Sequence, residues 1–479
     1  MLLKAICTSF VGWAVLGSAQ QSYLKNGHCY GDDLFTPVED LRSVLSVDEF
    51  TTLAHPAFPR YSVRMKKSTD FCDTTVRTKL NLRSYTGYID IEARHLFFYF
   101  FESRNDPDKD DVIFWTNGGP GCSSSLGLFM ELGPCRVLDA NGTKFHPESW
   151  NSNANIFFFD RPIGVGFSYA EYGETVVTTE EAAKDIASFI AIFFENFSKF
   201  KGRALHMAGE SYGGRYIPVF ASEVHDQNAR LVEAGLTPIN LQSVMIGNGL
   251  TDFYTMLAGY YDIICSPVSM APILDIASCV RMKQTLPRCQ KTIKESCVDI
   301  FDATSCRAAD MFCANEISVP FFSTGKNPYD ISKDCEGELR DTLCYPVTKH
   351  VSSYLDRPSV RAQLGVDPVL TANFSSCSDE MGLSFEASMD GHRLTYLYVA
   401  AFLERGVRAL IYVGKNDWIC NHVGSEAWTR ALEWSGHAEF AARAGMTRSA
   451  RGLTFATIEG AGHMVPYDKP KESLEMVNR

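Results

Sequence analysis

The segment that most constrains this chain is short. Ala204 to Ala208 form an apolar run of strand type, and the run passes without a linker into Gly209-Glu210-Ser211-Tyr212-Gly213 and then into helix-compatible sequence. A strand that turns into a helix across G-x-S-x-G makes so sharp a corner that small residues must flank the serine. The corner lifts the Ser211 hydroxyl above the sheet and aims the next backbone N–H, that of Tyr212, at a developing negative charge. Such a corner requires a sheet whose strand ends open along one edge.

The rest of the chain supplies that sheet. Apolar runs bounded by turn residues recur at His95 to Phe101, Asp111 to Trp115, Asn155 to Phe159 and Leu241 to Ile246, and again at Arg408 to Val413 and Leu453 to Ile458. Between the third run and the Ser211 strand, Thr179 to Phe194 has a Thr-Thr-Glu-Glu start and apolar residues at helical spacing. The expected class is therefore α/β, a mostly parallel central sheet with helices on both faces. The alternation breaks after Asp252, and eight cysteines fall between Cys265 and Cys344. This divides the chain into a first core segment, 20–252, a disulfide-rich insertion or cap, 253–350, and a second core segment, 351–479.

The chain has 479 residues with 45 basic against 57 acidic, a formal net charge of −12, which argues against nucleic acid or an anionic membrane as partner. Its 15 cysteines contain no C-x-x-C pair, which favours disulfides in an oxidising compartment over metal ligation, so neither a metal nor a cofactor is expected. Residues 1–19 read as a signal peptide: Lys4, an apolar stretch from Phe10 to Leu16, then Gly17-Ser18-Ala19. Sequons at Asn141, Asn196 and Asn373 are expected to be glycosylated surface sites of a secreted or vacuolar protein.

A serine nucleophile needs a base and a carboxylate to orient it, in the order Ser, Asp or Glu, His for this type of corner. After residue 211, Asp417 follows the strand candidate ending at Val413, and His463 follows the one ending at Ile458. A second glycine cluster, Trp115-Thr116-Asn117-Gly118-Gly119-Pro120-Gly121-Cys122-Ser123-Ser124, lacks both G-x-G-x-x-G and a phosphate-loop lysine, and fits an oxyanion loop better than a nucleotide site.

These segments, together with Glu131-Leu132-Gly133-Pro134, Asp160 to Tyr169, Gly209 to Tyr216, Ile246-Gly247-Asn248-Gly249 and Gly462-His463-Met464-Val465-Pro466, resemble the serine carboxypeptidases of the carboxypeptidase Y type. The resemblance extends from about residue 85 to about residue 470. It implies an α/β-hydrolase fold with Ser211 as nucleophile, His463 as base and then acid, and Asp417 as orienting carboxylate. It assigns the N–H groups of Gly119 and Tyr212 to the oxyanion hole. It makes Trp115, Asn117, Gly118, Glu131 and Glu210 the group that grips a substrate's C-terminal carboxylate, so peptide and protein C-termini are the implied substrates. Two acids can hold a carboxylate only if at least one stays protonated, which implies a preference for acidic pH.

The same resemblance implies that Cys420 and Met464 line substrate pockets, and that bridges join Cys122 to Cys377, Cys265 to Cys279, Cys289 to Cys313, Cys297 to Cys306 and Cys335 to Cys344. With Cys420 free, Cys29, Cys72 and Cys135 are left over, an odd set. Two positions depart from the family pattern. Arg161 stands where many members carry Gln, which leaves it to alter the mouth of the site or pair with an acidic neighbour, and Lys415 stands where an acid often follows Gly414. The competing readings are an acyltransferase or esterase on the same scaffold, and a non-catalytic binding protein.

Overall fold

Side chains alternate across the two faces of a strand, and in the run Leu96 to Phe101 that alternation serves two cores. Leu96, Phe98 and Phe100 belong to one buried cluster, and Phe97, Tyr99 and Phe101 to the other. The strand Asn155–Phe159 does the same, with Phe157 and Phe159 on the first side and Ile156 and Phe158 on the second. A sheet buried on both faces needs cover on both. Helices Thr179–Asn196 and Gly213–Asp226 bring Phe189, Phe193, Ile217 and Phe220 to the first face. Helices Val347–Leu355 and Pro358–Leu364 bring Val351, Leu355, Val360 and Leu364 to the second.

The computed structural model of the chain describes residues 35–45, 49–68, 70–72 and 83–479, and the chain from Val38 to Arg479 clusters as one compact unit. The candidate signal peptide, 1–19, and Cys29 lie outside the described residues. All seven apolar runs singled out above are strands of one 12-stranded sheet. Six consecutive central strands are parallel, in the order Asn155–Phe159, Val112–Thr116, Ala204–Ser211, Asn240–Gly249, Arg408–Gly414 and Leu453–Ile458. An antiparallel meander, Thr51–Ala54, Tyr61–Lys67, Ser84–Ile91 and Arg94–Phe101, extends one flank, so the sheet as a whole is mixed. In Tyr61–Lys67 only Val63, Met65 and Lys66 are buried, so its charged sequence gives no apolar run to mark it as a strand.

After Asp252 the chain builds a third apolar cluster from helices Phe253–Cys265, Ile276–Ile293 and Ala303–Cys313, in which Ile263, Met282, Ile293 and Phe321 pack around Cys297 and Cys306. Bridges join Cys122 to Cys377, Cys265 to Cys279, Cys297 to Cys306 and Cys335 to Cys344. The fifth expected bridge is corrected. Cys289 and Cys313 are buried free thiols on neighbouring helices, with no covalent bond between them in the structure. In its place Cys72 is bonded to Cys135, a pair 63 residues apart, which accounts for two of the three cysteines left over above. Among the described residues no helix is long and apolar enough to cross a membrane.

One glycosylation expectation is also corrected. Asn141 and Asn373 are exposed, but Asn196 is buried at the end of its helix, where its Nδ2 donates to the carbonyls of Ile192, at 2.9 Å, and Ala54, at 3.3 Å. The sequon is present in sequence, but tertiary packing occupies its amide.

Candidate active site

Five neighbouring parallel strands end along the same edge, and the candidate residues gather there: the Trp115 loop, Ser211, Asn248, then the loops carrying Asp417 and His463. Ser211 closes its strand with φ of +63°, the left-handed region that a side chain rarely adopts. Its carbonyl is tied down by the Leu250 N–H at 2.8 Å, and the helix Gly213–Asp226 starts two residues on. Gly118 packs directly on this corner: a Cβ there would lie 2.3 Å from the Tyr212 nitrogen and 2.8 Å from the Ser211 Cβ. Only glycine fits, and its absent side chain lets the Gly118-Gly119 backbone lie beside the Tyr212 N–H.

Asp417 is fully buried and accepts four hydrogen bonds. One comes from His463 Nδ1 at 2.7 Å, one from Asn248 Nδ2 at 2.8 Å, and two from the backbone N–H groups of Ile419, at 3.0 Å, and Cys420, at 3.2 Å. These donors leave the carboxylate one orientation, with an oxygen aimed at the imidazole. Asn248 is fixed in turn, because its Oδ1 accepts the Gly414 N–H at 3.1 Å. It holds φ of +41°, a conformation asparagine tolerates better than most residues. The sequence marked Asn248 only as part of a motif; a Gly-Asn-Gly at a strand end was the available sign of a special backbone. The Tyr329 ring, with its centroid 5.1 Å from that of His463, had no sign in sequence at all.

Beside the serine lies a buried acid pair. Trp115 Nε1 donates to Asn117 Oδ1 at 2.9 Å, Gly127 N donates to the same oxygen at 2.9 Å, and Asn117 Nδ2 donates to Glu131 Oε1 at 3.1 Å. Glu210 is buried next to Glu131, and each acid has a buried Oε2 with no hydrogen-bond partner in the structure. Burial pushes the Glu210 carboxyl well above its usual range and the neighbouring Glu131 charge pushes it further; burial raises Glu131 as well.

Cys420 lies buried at the same place. Burial, then the neighbouring carboxyls of Asp417 and Glu210, push its thiol well above the usual range, with Ser211 opposing the shift. Among the described residues, Asp417, Cys420 and His463 form the one His, Cys, Asp or Glu group close enough to hold a metal ion, with ligand atoms within 4.8 Å of one another. Met464, also buried, packs with the second core cluster. Arg161 is buried and makes no ion pair among the described residues. Its guanidinium is buried over two rings one helical turn apart, 3.5 Å from the centroid of Tyr216 and 4.3 Å from that of Phe220, and burial lowers its pKa to about 10. Lys415 pairs with Glu459 at 2.8 Å.

A family model described as serine carboxypeptidase matches residues 75–479. The chain is 42% identical over 416 residues to the carboxypeptidase Y homolog A of Paracoccidioides lutzii, covering 83% of this chain and 72% of that protein. It is 41% identical over 417 residues to the homolog A of Talaromyces marneffei, with the same coverage. The crystal structure of a prohormone-processing carboxypeptidase from Saccharomyces cerevisiae superposes with a TM-score of 0.68 at 22% identity, covering 91% of this chain and 96% of that one, and establishes the shared fold. The chain belongs to the serine carboxypeptidase family and is a hydrolase of that serine type on an α/β-hydrolase fold.

Proposed function

We propose that the protein removes amino acids one at a time from peptide C-termini through an acyl-enzyme on Ser211. His463 takes the hydroxyl proton as Ser211 attacks the scissile carbonyl, then returns it to the departing amino group. Asp417 holds Nδ1–H, so that Nε2 faces the serine, and stabilises the imidazolium that forms. The N–H groups of Gly119 and Tyr212 receive the oxyanion, a contribution whose loss typically lowers the rate about 10²-fold or more. Water then attacks the ester with the same proton traffic and frees Ser211.

The observation that carries the exopeptidase reading is the burial of two acids, Glu131 and Glu210, beside Ser211, in a cluster that includes Trp115, Asn117 and Gly118; we assign the two acids one shared proton. A substrate carboxylate entering there meets a neutral acid able to donate, whereas two ionised acids repel it. This supports activity at acidic pH. The route we propose is entry to the secretory pathway by way of residues 1–19, glycosylation at Asn141 and Asn373, and delivery outside the cell or to a vacuole. The test is kcat/KM against pH for a blocked dipeptide and for an ester blocked at its C-terminus. The dipeptide profile is expected to fall with rising pH while the ester profile holds; identical profiles overturn the assignment of the acid pair. Turnover of the ester with no release of free amino acid from peptides favours the esterase or acyltransferase reading.

A further inference from the structure

The disulfide-rich insertion after Asp252 carries a hairpin, Lys326–Asn327 paired with Asp330–Asp334, that is bonded to both loops that carry the acid and the base. The Pro328 carbonyl accepts the N–H groups of Trp418, at 3.1 Å, and Ile419, at 3.2 Å, and the Ile331 N–H donates to the Asn416 carbonyl at 2.9 Å. Asp417 is thereby bracketed on both sides. The Tyr329 carbonyl accepts the His463 N–H at 2.6 Å. An ionic tie runs to the same loop: Lys333 Nζ lies 3.2 Å from Asp468, whose Oδ2 accepts the Gly462 N–H at 2.8 Å. Gly462 permits this approach, since a Cβ there would lie 2.3 Å from the Tyr329 carbonyl oxygen.

We propose that this hairpin is a positioning element for the catalytic pair, so that the insertion supplies part of the scaffold that holds Asp417 and His463 in register with Ser211. The proposal rests on the roles given to those three residues above. Both loops have left the sheet: Asp417 lies beyond the strand ending at Gly414, and His463 beyond the strand ending at Ile458. They are tied to each other by the Lys415 N–H on the Ile458 carbonyl, at 3.1 Å, and the Asn416 N–H on the Ala461 carbonyl, at 2.9 Å. Those bonds fix one loop against its neighbour; the hairpin fixes the two together from outside. A catalytic group displaced by about 1 Å loses on the order of 10²-fold in rate, so the hairpin's bonds bear on the chemical step and not only on substrate fit.

The test uses Lys333→Met, which cuts the ionic tie and keeps the backbone, and Ile331→Pro, which removes the donor to Asn416. Three readouts are taken on the full chain: the rate of inactivation by a small serine-directed phosphonyl fluoride, kcat and KM for a blocked dipeptide, and hydrogen exchange of segments 414–421 and 459–466. Phosphonylation requires a competent serine and histidine but little of the substrate pockets. Expected are a loss of about threefold or more in phosphonylation rate and kcat for Lys333→Met and tenfold or more for Ile331→Pro, KM within twofold, and faster exchange in both segments. A raised KM with phosphonylation and kcat intact, or unchanged exchange, overturns the proposal and leaves the hairpin a wall of the pocket. Should Ile331→Pro fail to fold, Lys333→Met decides. Should the unaltered protein resist phosphonylation at Ser211, the Ser211 reading falls, while the exchange measurement still tests the hairpin.

Discussion

Replacing Glu210 with Gln removes one ionisable group from the buried pair while keeping a hydrogen-bond donor of the same shape. In the unaltered protein both acids are buried, and Glu210 is raised well above its ordinary 4.5 by burial and by Glu131. Two like charges about 4 Å apart repel by about 4 kcal/mol at an effective dielectric of about 20, and on that ground we assign the pair a retained proton. A bound substrate carboxylate is a third negative charge in that space, so binding demands the same proton. Once it is lost with rising pH, kcat/KM for a peptide falls about tenfold per pH unit. Glu210→Gln carries its donor hydrogens at every pH. The variant is expected to start about tenfold lower at acidic pH, the consequence of exchanging a charge-assisted bond for an amide one at about 1.4 kcal/mol, and to stay flat where the unaltered protein falls. The assay is kcat/KM from pH 4 to pH 8.5 on a blocked dipeptide, with the corresponding C-terminal amide as control. A variant that falls in parallel with the unaltered protein refutes the shared proton.

Other outcomes follow from the same geometry. Asn248→Ala deletes a donor to Asp417 and the acceptor of the Gly414 N–H, and is expected to lower kcat about 10- to 100-fold with KM little changed, measured by steady-state kinetics. Asp160 is fully buried and raised from 3.8 to about 7 by burial, against hydrogen bonds from Ser123 and the Phe167 N–H. Its folded pKa lies above the unfolded one, so its contribution is full below about pH 4 and is lost as pH rises to about 7. That shift is worth about 4 kcal/mol, and Asp160→Asn should flatten the pH dependence of denaturant unfolding by an amount of that order. Arg161→Gln removes a buried cation that has no ion pair among the described residues, at the expense of its contacts with Tyr216 and Phe220; thermal unfolding is expected to shift upward with kcat/KM within twofold, and a drop of several degrees contradicts that balance.

What the sequence disclosed was what neighbouring residues decide. The corner at Ser211 is specified by five consecutive residues, and the parallel strands announce themselves because a strand buried on both faces must be apolar throughout. Tyr61–Lys67, polar on one face, carries no such run. Long-range pairings were equally silent. Cys72 meets Cys135 only because the sheet folds, and the Asn196 amide is occupied by Ala54, a residue of a distant strand. Arg161 illustrates the same limit: its seat is made by Tyr216 and Phe220, spaced four apart on a helix formed much later in the chain. The hairpin's hold on Asp417 and His463 runs mostly through main-chain atoms, which every sequence contains, and its one ion pair, Lys333 with Asp468, joins residues far apart in sequence, so no local pattern revealed it.

The central claim is that the site reads a free C-terminal carboxylate and cuts beside it through Ser211. The most direct measurement is mass spectrometry over time of one peptide prepared with a free and with an amidated C-terminus, at acidic pH, with the unaltered protein and with Ser211→Ala. The account predicts a ladder losing one residue at a time from the free terminus, strongly slowed by amidation and abolished in Ser211→Ala. Equal rates on both peptides, internal cleavage, or a ladder that persists in Ser211→Ala contradicts it.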